Sequence, residues 1–249
     1  MPSPLITLSS DFGSASAFAA MLRGALLLRC PEARLVDLSH ELESGDIFAA
    51  ALLLLRVYSY YPAGTIHLLA LDRGAGPDRV LVAAAGGQFF IALDHGGLGL
   101  VLAQEPESRV WAVPLRERTT FVARDAMADI VEQVVHDPAY PPGMVVTDWR
   151  RMELPRPVAE EGGVRAQVLF VDAFGNLVLN VKAQAVGGWQ GAEVAGIRLG
   201  RWRGHYGAAP VGELLLVVGA EGWMEIAAVG DSAAVRLGAR RGTPVHLLR

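Results

Sequence analysis

The run TIHLLALDRGAGPDRVLVAAAGGQFFIAL, Thr65 to Leu93, decides how the fold is read. Its three short apolar segments, 65–71, 79–85 and 88–93, are divided by glycine-containing turns and read as strands. A dinucleotide fingerprint would place its glycines between a strand and a helix, with a pyrophosphate resting on the helix N-terminus. Here Gly74 and Gly76 lead into another strand, and the third glycine of that pattern is missing. A Walker loop fails too, because the sole lysine, Lys182, lies far along the chain. The glycines still permit positive φ and close approach of backbone to a ligand. Flanking them, Asp72 and Arg79 either present a carboxylate and a guanidinium to one cleft or form a solvated turn pair.

Working outward, the N-terminal half alternates strand-like and helix-like segments. LITLSS (5–10) and ARLVDLS (33–39) read as strands, and AFAAMLRGALLLR (17–29) as a helix. DIFAAALLLLRVYSYY (46–61) reads as a buried helix with Asp46 as its N-cap, stopped by Pro62. RDAMADIVEQVVHD (124–137) restores the helical period before Pro138. This alternation predicts an α/β domain with a largely parallel sheet over residues 1–150. From Pro138 to Gly163 the chain carries five prolines, ends in glycines and has no periodicity, so residues 151–163 are read as a linker. Beyond it, strand-length runs recur at near-regular spacing without a long helix. Residues 164–249 therefore predict a small antiparallel β-barrel domain.

Composition narrows the function classes. With 52% hydrophobic residues the 249-residue chain is globular, and a formal charge of -4 gives no reason to expect nucleic acid as a partner. Cys30 is the only cysteine, which excludes an intrachain disulfide and a cysteine-based zinc cluster. No two histidines have metal-ligand spacing, so no metal is expected. MPSPLITLSSDFG has neither a basic n-region nor a signal-peptide core, and the apolar run 49–55 meets Arg56 far short of a membrane span. The expectation is a cytoplasmic protein without membrane contact.

Five stretches then fall in a recognisable order: SDFG (10–13), VDLSHEL (36–42), LDRGAGPDR (71–79), TFVARD (120–125) and VDAFGNLVLNV (171–181). HYGAAPVGE and GAEGWMEIA follow near the end. Together they resemble the S-adenosyl-L-methionine hydroxide adenosyltransferase family, relatives of fluorinase and chlorinase. The resemblance implies that S-adenosylmethionine is the substrate and no cofactor is needed. It also implies a homotrimer, with each site between the α/β domain and the β-barrel domain of neighbouring subunits. Water or hydroxide attacks the ribose C5′ in line with the sulfonium, giving adenosine and methionine. Because the sulfonium leaves as a neutral thioether, no acid has to protonate it.

By that resemblance Asp11 accepts the ribose hydroxyls, as an ionised acceptor-only group can. Asp72 and Arg79 hold the attacking water, Asp172 meets the methionine ammonium, Asn176 reads polar substrate atoms, and Tyr206 lies beside the adenine. The residues themselves also allow plainer roles: an Asx turn at Asp11, a local FGN turn at Asn176, a half-buried barrel tyrosine at Tyr206. The family histidine of the Thr-Phe-His-Gly-Arg-Asp pattern is Val122 here, and its glycine is Ala123. Loss of a positioned acid–base group commonly costs roughly 10²–10⁴-fold in rate. The proline after Asp72 is Arg73, and the Pro-Asp-Asn-Gly stretch reads Leu93, Asp94, His95, Gly96. The Ser-x-Gly contact to the methionine carboxylate reads Ala220, Glu221, Gly222, and the threonine before Tyr206 is His205. His95 is the candidate to replace the missing histidine. Two readings follow: a hydrolase of S-adenosylmethionine, or a homologue that binds nucleosides without turnover.

Overall fold

The computed structural model describes residues 3–71, 77–117, 119–185, 188, 190–200 and 202–249. The chain splits into two compact units, Met1–Glu153 and Leu154–Arg249.

In the first unit, β1 (Leu5–Ser10), α1 (Ala17–Arg29), β2 (Arg34–Ser39), α2 (Ile47–Val57) and β3 (Ile66–Ala70) follow the predicted alternation. Asp46 caps α2, accepting from the Ala49 N–H at 3.0 Å. After them come β4 (Arg79–Ala85), β5 (Gln88–Leu93), α3 (Gly99–Gln104), β6 (Arg109–Pro114), α4 (Ala128–His136) and β7 (Met144–Val145). The helix expected over 124–137 opens as a π-turn, Ala123–Met127, before α4.

The sheet order is β2-β1-β3-β5-β4-β6-β7. It is mixed: the predicted parallel pairing holds for β2-β1-β3-β5, whereas β4, β6 and β7 join antiparallel. For β4, the reversed strand in its pairings with both β5 and β6, the cause is the two-residue connection Gly86–Gly87, both at positive φ (55° and 75°). Such a tight turn returns the chain directly alongside itself, and a parallel neighbour would need a crossover. Successive strand residues point to opposite faces, so Leu68 enters a core with α1 and α4 while Leu69 enters one with α2 and α3.

One polar thread runs through this sheet. His67 is fully buried; its Nδ1 lies 2.7 Å from Thr7 Oγ1 and its Nε2 2.9 Å from Gln88 Oε1. The Gln88 amide NH₂ donates to the carbonyls of Tyr58 and Tyr61, which orients its oxygen toward the ring. His67 must therefore donate from Nε2 and accept the Thr7 hydroxyl at Nδ1, a neutral imidazole.

In the second unit, β8 (Val158–Glu160) lies within the stretch read as a linker and pairs with β9 (Gly163–Val171). There follow β10 (Leu177–Lys182), β11 (Gly191–Val194), β12 (Ile197–Leu199), β13 (Leu214–Val218), β14 (Trp223–Ala228), the short α5 (Ala233–Leu237) and β15 (Pro244–Leu248). Their order, β12-β11-β15-β9-β10-β14-β13, is antiparallel throughout. Just past β12, Trp202 bridges to Leu216 of β13, so the two ends of the sheet nearly meet in a barrel. Inward residues such as Val168, Leu179, Leu216, Ile226 and Val245 fill it. Among the described residues no helix is long and apolar enough to cross a membrane.

Candidate active site

In the first unit the carboxyl ends of β1, β3 and β5 lie side by side, because Ser10 pairs with Ala70 and Leu69 with Ala92. Ligands of α/β sheets bind beyond such an edge, where side chains on the following loops converge. Asp11 stands just past β1, and its Oδ2 accepts from the Gly45 N–H at 3.0 Å. This contact joins it to the loop that opens α2. Nearby, the buried His40 receives or gives a hydrogen at Ser10 Oγ (2.6 Å) and stands 3.1 Å from Asp37 Oδ1, the latter without hydrogen-bond alignment. Burial, and then the Arg23 charge, lower the His40 pKa.

Arg79 opens β4 at the same edge, since β4 runs antiparallel and its first residues face the end of β5. Its Nε donates to Asp94 Oδ2 at 2.8 Å, and its Nη2 lies 2.6 Å from the same oxygen. Nη2 also donates to the Asp148 carbonyl. Asp94 is 3% exposed, and its other oxygen accepts from the Arg150 N–H at 2.8 Å. The hydrogen bond to Asp94 raises the Arg79 pKa further, which keeps the guanidinium charged. These groups, with Pro77, Asp78, Pro114 and Trp149, line a cleft of about 660 Å³.

In the second unit a pocket of about 650 Å³ is lined by Asp172, Phe174, Asn176, Tyr206, Ala228 and Asp231, among others. Asp172 Oδ1 accepts from the N–H groups of Phe174 and Asn176, at 2.9 and 2.8 Å. Its Oδ2 is 2.8 Å from Asn176 Nδ2. A carboxylate can only accept, so the Asn176 amide must turn its NH₂ to Asp172, which leaves its oxygen as a pocket acceptor. Gly175 allows this turn: its φ is +82°, and a Cβ there would meet Ser232 Oγ at 2.1 Å. Tyr206 donates its hydroxyl to Glu225 Oε2 at 2.6 Å. Burial, then the Glu225 hydrogen bond, raise the Tyr206 pKa, and the phenol stays neutral.

The structure thus gathers Asp172, Asn176 and Tyr206 into one pocket of the barrel unit, while Asp11 and Arg79 stand at the carboxyl edge of the α/β unit. Asp72 lies outside the described residues. Val122 is 1% exposed and packs in the core with Phe121 and Met127. His95 makes a local contact, its Nδ1 accepting from the Gly97 N–H at 3.2 Å. The carbonyl of Glu221 accepts from Lys182 Nζ at 2.7 Å, and that ammonium sits 3.9 Å over the Trp223 ring. Sequence reasoning missed Asp94 and Glu225. Asp94 was signalled by surviving in the altered Leu93–Gly96 stretch; Glu225, a lone acid inside an apolar strand, was the signal for a buried partner. Among the described residues no group of three or more His, Cys, Asp or Glu is placed to hold a metal ion.

Residues 6–140 match the model of the SAM hydroxide adenosyltransferase N-terminal domain, and residues 166–246 that of its C-terminal domain. The chain is 31% identical over 253 residues to the (R)-S-adenosyl-L-methionine hydrolase of Thermus thermophilus, covering 96% of this chain and 97% of that one. It is 32% identical over 257 residues to the protein of the same name from Salinispora tropica, with 97% and 96% covered. Among solved structures, an uncharacterized conserved protein from Thermotoga maritima matches with a TM-score of 0.85 over 99% of both chains. At 23% identity that likeness speaks for the fold alone.

Proposed function

The chain belongs to the SAM hydroxide adenosyltransferase family, and from that premise we propose that it hydrolyses S-adenosyl-L-methionine to adenosine and L-methionine. The observation that carries this reading is kinship over nearly the whole chain with proteins named as hydrolases of that compound. The (R) sulfonium form in their names is the form proposed here. Binding of nucleosides without turnover is the less favoured reading.

The roles proposed for the residues rest on their chemistry. Asp11, with one oxygen on the Gly45 N–H, offers the other to the ribose hydroxyls. Asn176 presents its amide oxygen, and Tyr206 a neutral ring, to the adenosyl group; Asp172 holds the FGN turn and adds negative charge toward the ammonium. Arg79 and Asp72 hold the water. The water oxygen bonds to C5′ as the C5′–S bond breaks, the electron pair leaves with sulfur, and Asp72 takes the proton. A cation beside the nucleophile favours its hydroxide form, and exclusion of bulk water from the site raises its reactivity. No cofactor enters this scheme. Val122 contributes no proton transfer, so a turnover slower than that of a histidine-bearing relative is expected.

The proposed assembly is a homotrimer with the site completed between subunits. Supporting it are apolar side chains left exposed on the single chain, Phe174 at the pocket and Val211 beside its lining residue Gly230. The cytoplasm is the proposed compartment, where a lone buried thiol, Cys30, stays reduced. The test is incubation of the purified protein with each sulfonium epimer, measuring adenosine against Arg79→Ala. Adenosine that depends on Arg79 supports the reading; none from either epimer at any pH removes it. Light scattering that returned a monomer mass would remove the trimer.

A further inference from the structure

We infer that Asp94 is a positioning residue, one that fixes which edge of the Arg79 guanidinium is offered to the reacting water. The guanidinium has three nitrogens. Asp94 Oδ2 takes the Nε edge and shares Nη2, at 2.8 and 2.6 Å, and the Asp148 carbonyl takes Nη2 as well. Among the described residues Nη1 makes only a loose ion pair, at 3.6 Å, with Oδ1 of the solvent-exposed Asp148 side chain. The geometry therefore leaves Nη1 as the donor that faces a ligand oxygen in the cleft.

Asp94 suits this task because it is itself immobilised. It is buried, and its second oxygen is held by the Arg150 N–H, so the carboxylate cannot swing with the arginine. Two nitrogens of one planar guanidinium converging on a single fixed oxygen set both the distance and the plane of the group, which a single contact to an ammonium would not. Asp148, by contrast, is 78% exposed in its side chain and holds Arg79 mainly through its carbonyl. With Val122 where a proton acceptor would stand, orientation of the water falls more heavily on Arg79, and hence on Asp94. The kinetic consequence rests on the hydrolase reading; the orientation of Arg79 does not.

Two readouts separate these. In nitrogen-15 spectra of the full chain, the Arg79 Nε–H, assigned with Arg79→Lys, is expected to be protected from exchange. Asp94→Asn, which is uncharged and has one acceptor oxygen for the two contacts Asp94 makes, is expected to lower that protection, and Asp148→Asn to retain it. In turnover, Asp94→Asn is expected to lower kcat roughly 10–100-fold, the scale of a small misplacement, with KM within about threefold. Asp94→Asn added to Arg79→Ala is expected to cost nothing more, because its effect passes through the arginine. An Arg79 Nε–H unchanged by Asp94→Asn, or losses that multiply in the double variant, would overturn the inference. Should Asp94→Asn not fold, Arg79→Lys decides: loss close to that of Arg79→Ala supports a grip through two guanidinium nitrogens, and near-normal turnover refutes it. If the unaltered protein makes no adenosine, the hydrolase reading falls and the exchange signal alone judges Asp94.

Discussion

Acid should loosen the first unit through His67. Its pKa is lowered from 6.5 to about 4 by burial, with the Gln88 hydrogen bond partly opposing. In the unfolded chain the ring protonates near its ordinary value. Between pH 6.5 and 4 the unfolded state therefore binds more protons, and stability falls as pH falls through that window; above it the contribution is complete. A shift of this size corresponds to about 3 kcal/mol in full, of which about 2 kcal/mol is gone by pH 5. Thr7 and His67 pair on β1 and β3, and β1 leads directly to Asp11. The assay is urea unfolding at pH 8, 6 and 5 for the natural chain and His67→Phe. The variant should be weaker at pH 8, where Thr7 and Gln88 lose their partner, yet its stability should fall about 2 kcal/mol less between pH 8 and 5. Equal pH slopes for both would refute the argument.

Val122→Ala should cost about 2 kcal/mol by removing two buried methyl groups, read as a lower urea midpoint, with adenosine formation within about threefold of normal. Gly219→Ala should disturb the barrel pocket, because a Cβ at 219 would sit 1.8 Å from Glu225 Oε1 and force that carboxylate off Tyr206. Adenosine binding measured by calorimetry should weaken by roughly tenfold, the worth of a charge-assisted hydrogen bond. Asp11→Ala should weaken adenosine binding more than that of a ribose-dideoxy analogue, and equal losses for the two ligands would remove its proposed contact to the hydroxyls.

How much of this was legible in the sequence depended on range. Period and punctuation located most strands, the Asp46 cap and the change to an all-β second half, since each is written in neighbouring residues. The mixed sheet was not foreseen. Gly86–Gly87 marked a hairpin, but the alternation of strands and helices before it argued for parallel pairing, and the turn geometry prevailed. The π-turn at 123–127 has no distinct pattern, because it differs from an α-helix only in which carbonyl each N–H reaches. Site residues were named through family motifs, so the approach of Asp94 to Arg79 went unread. That pair is fixed by strand register across β4 and β5, which no local window contains.

The most direct test of the account is hydrolysis of S-adenosyl-L-methionine in water enriched in oxygen-18, followed by mass analysis of both products. Attack of water at C5′ predicts the label in adenosine, at its 5′ oxygen, and none in methionine. Unlabelled adenosine, or label in a methionine-derived alcohol, would contradict it.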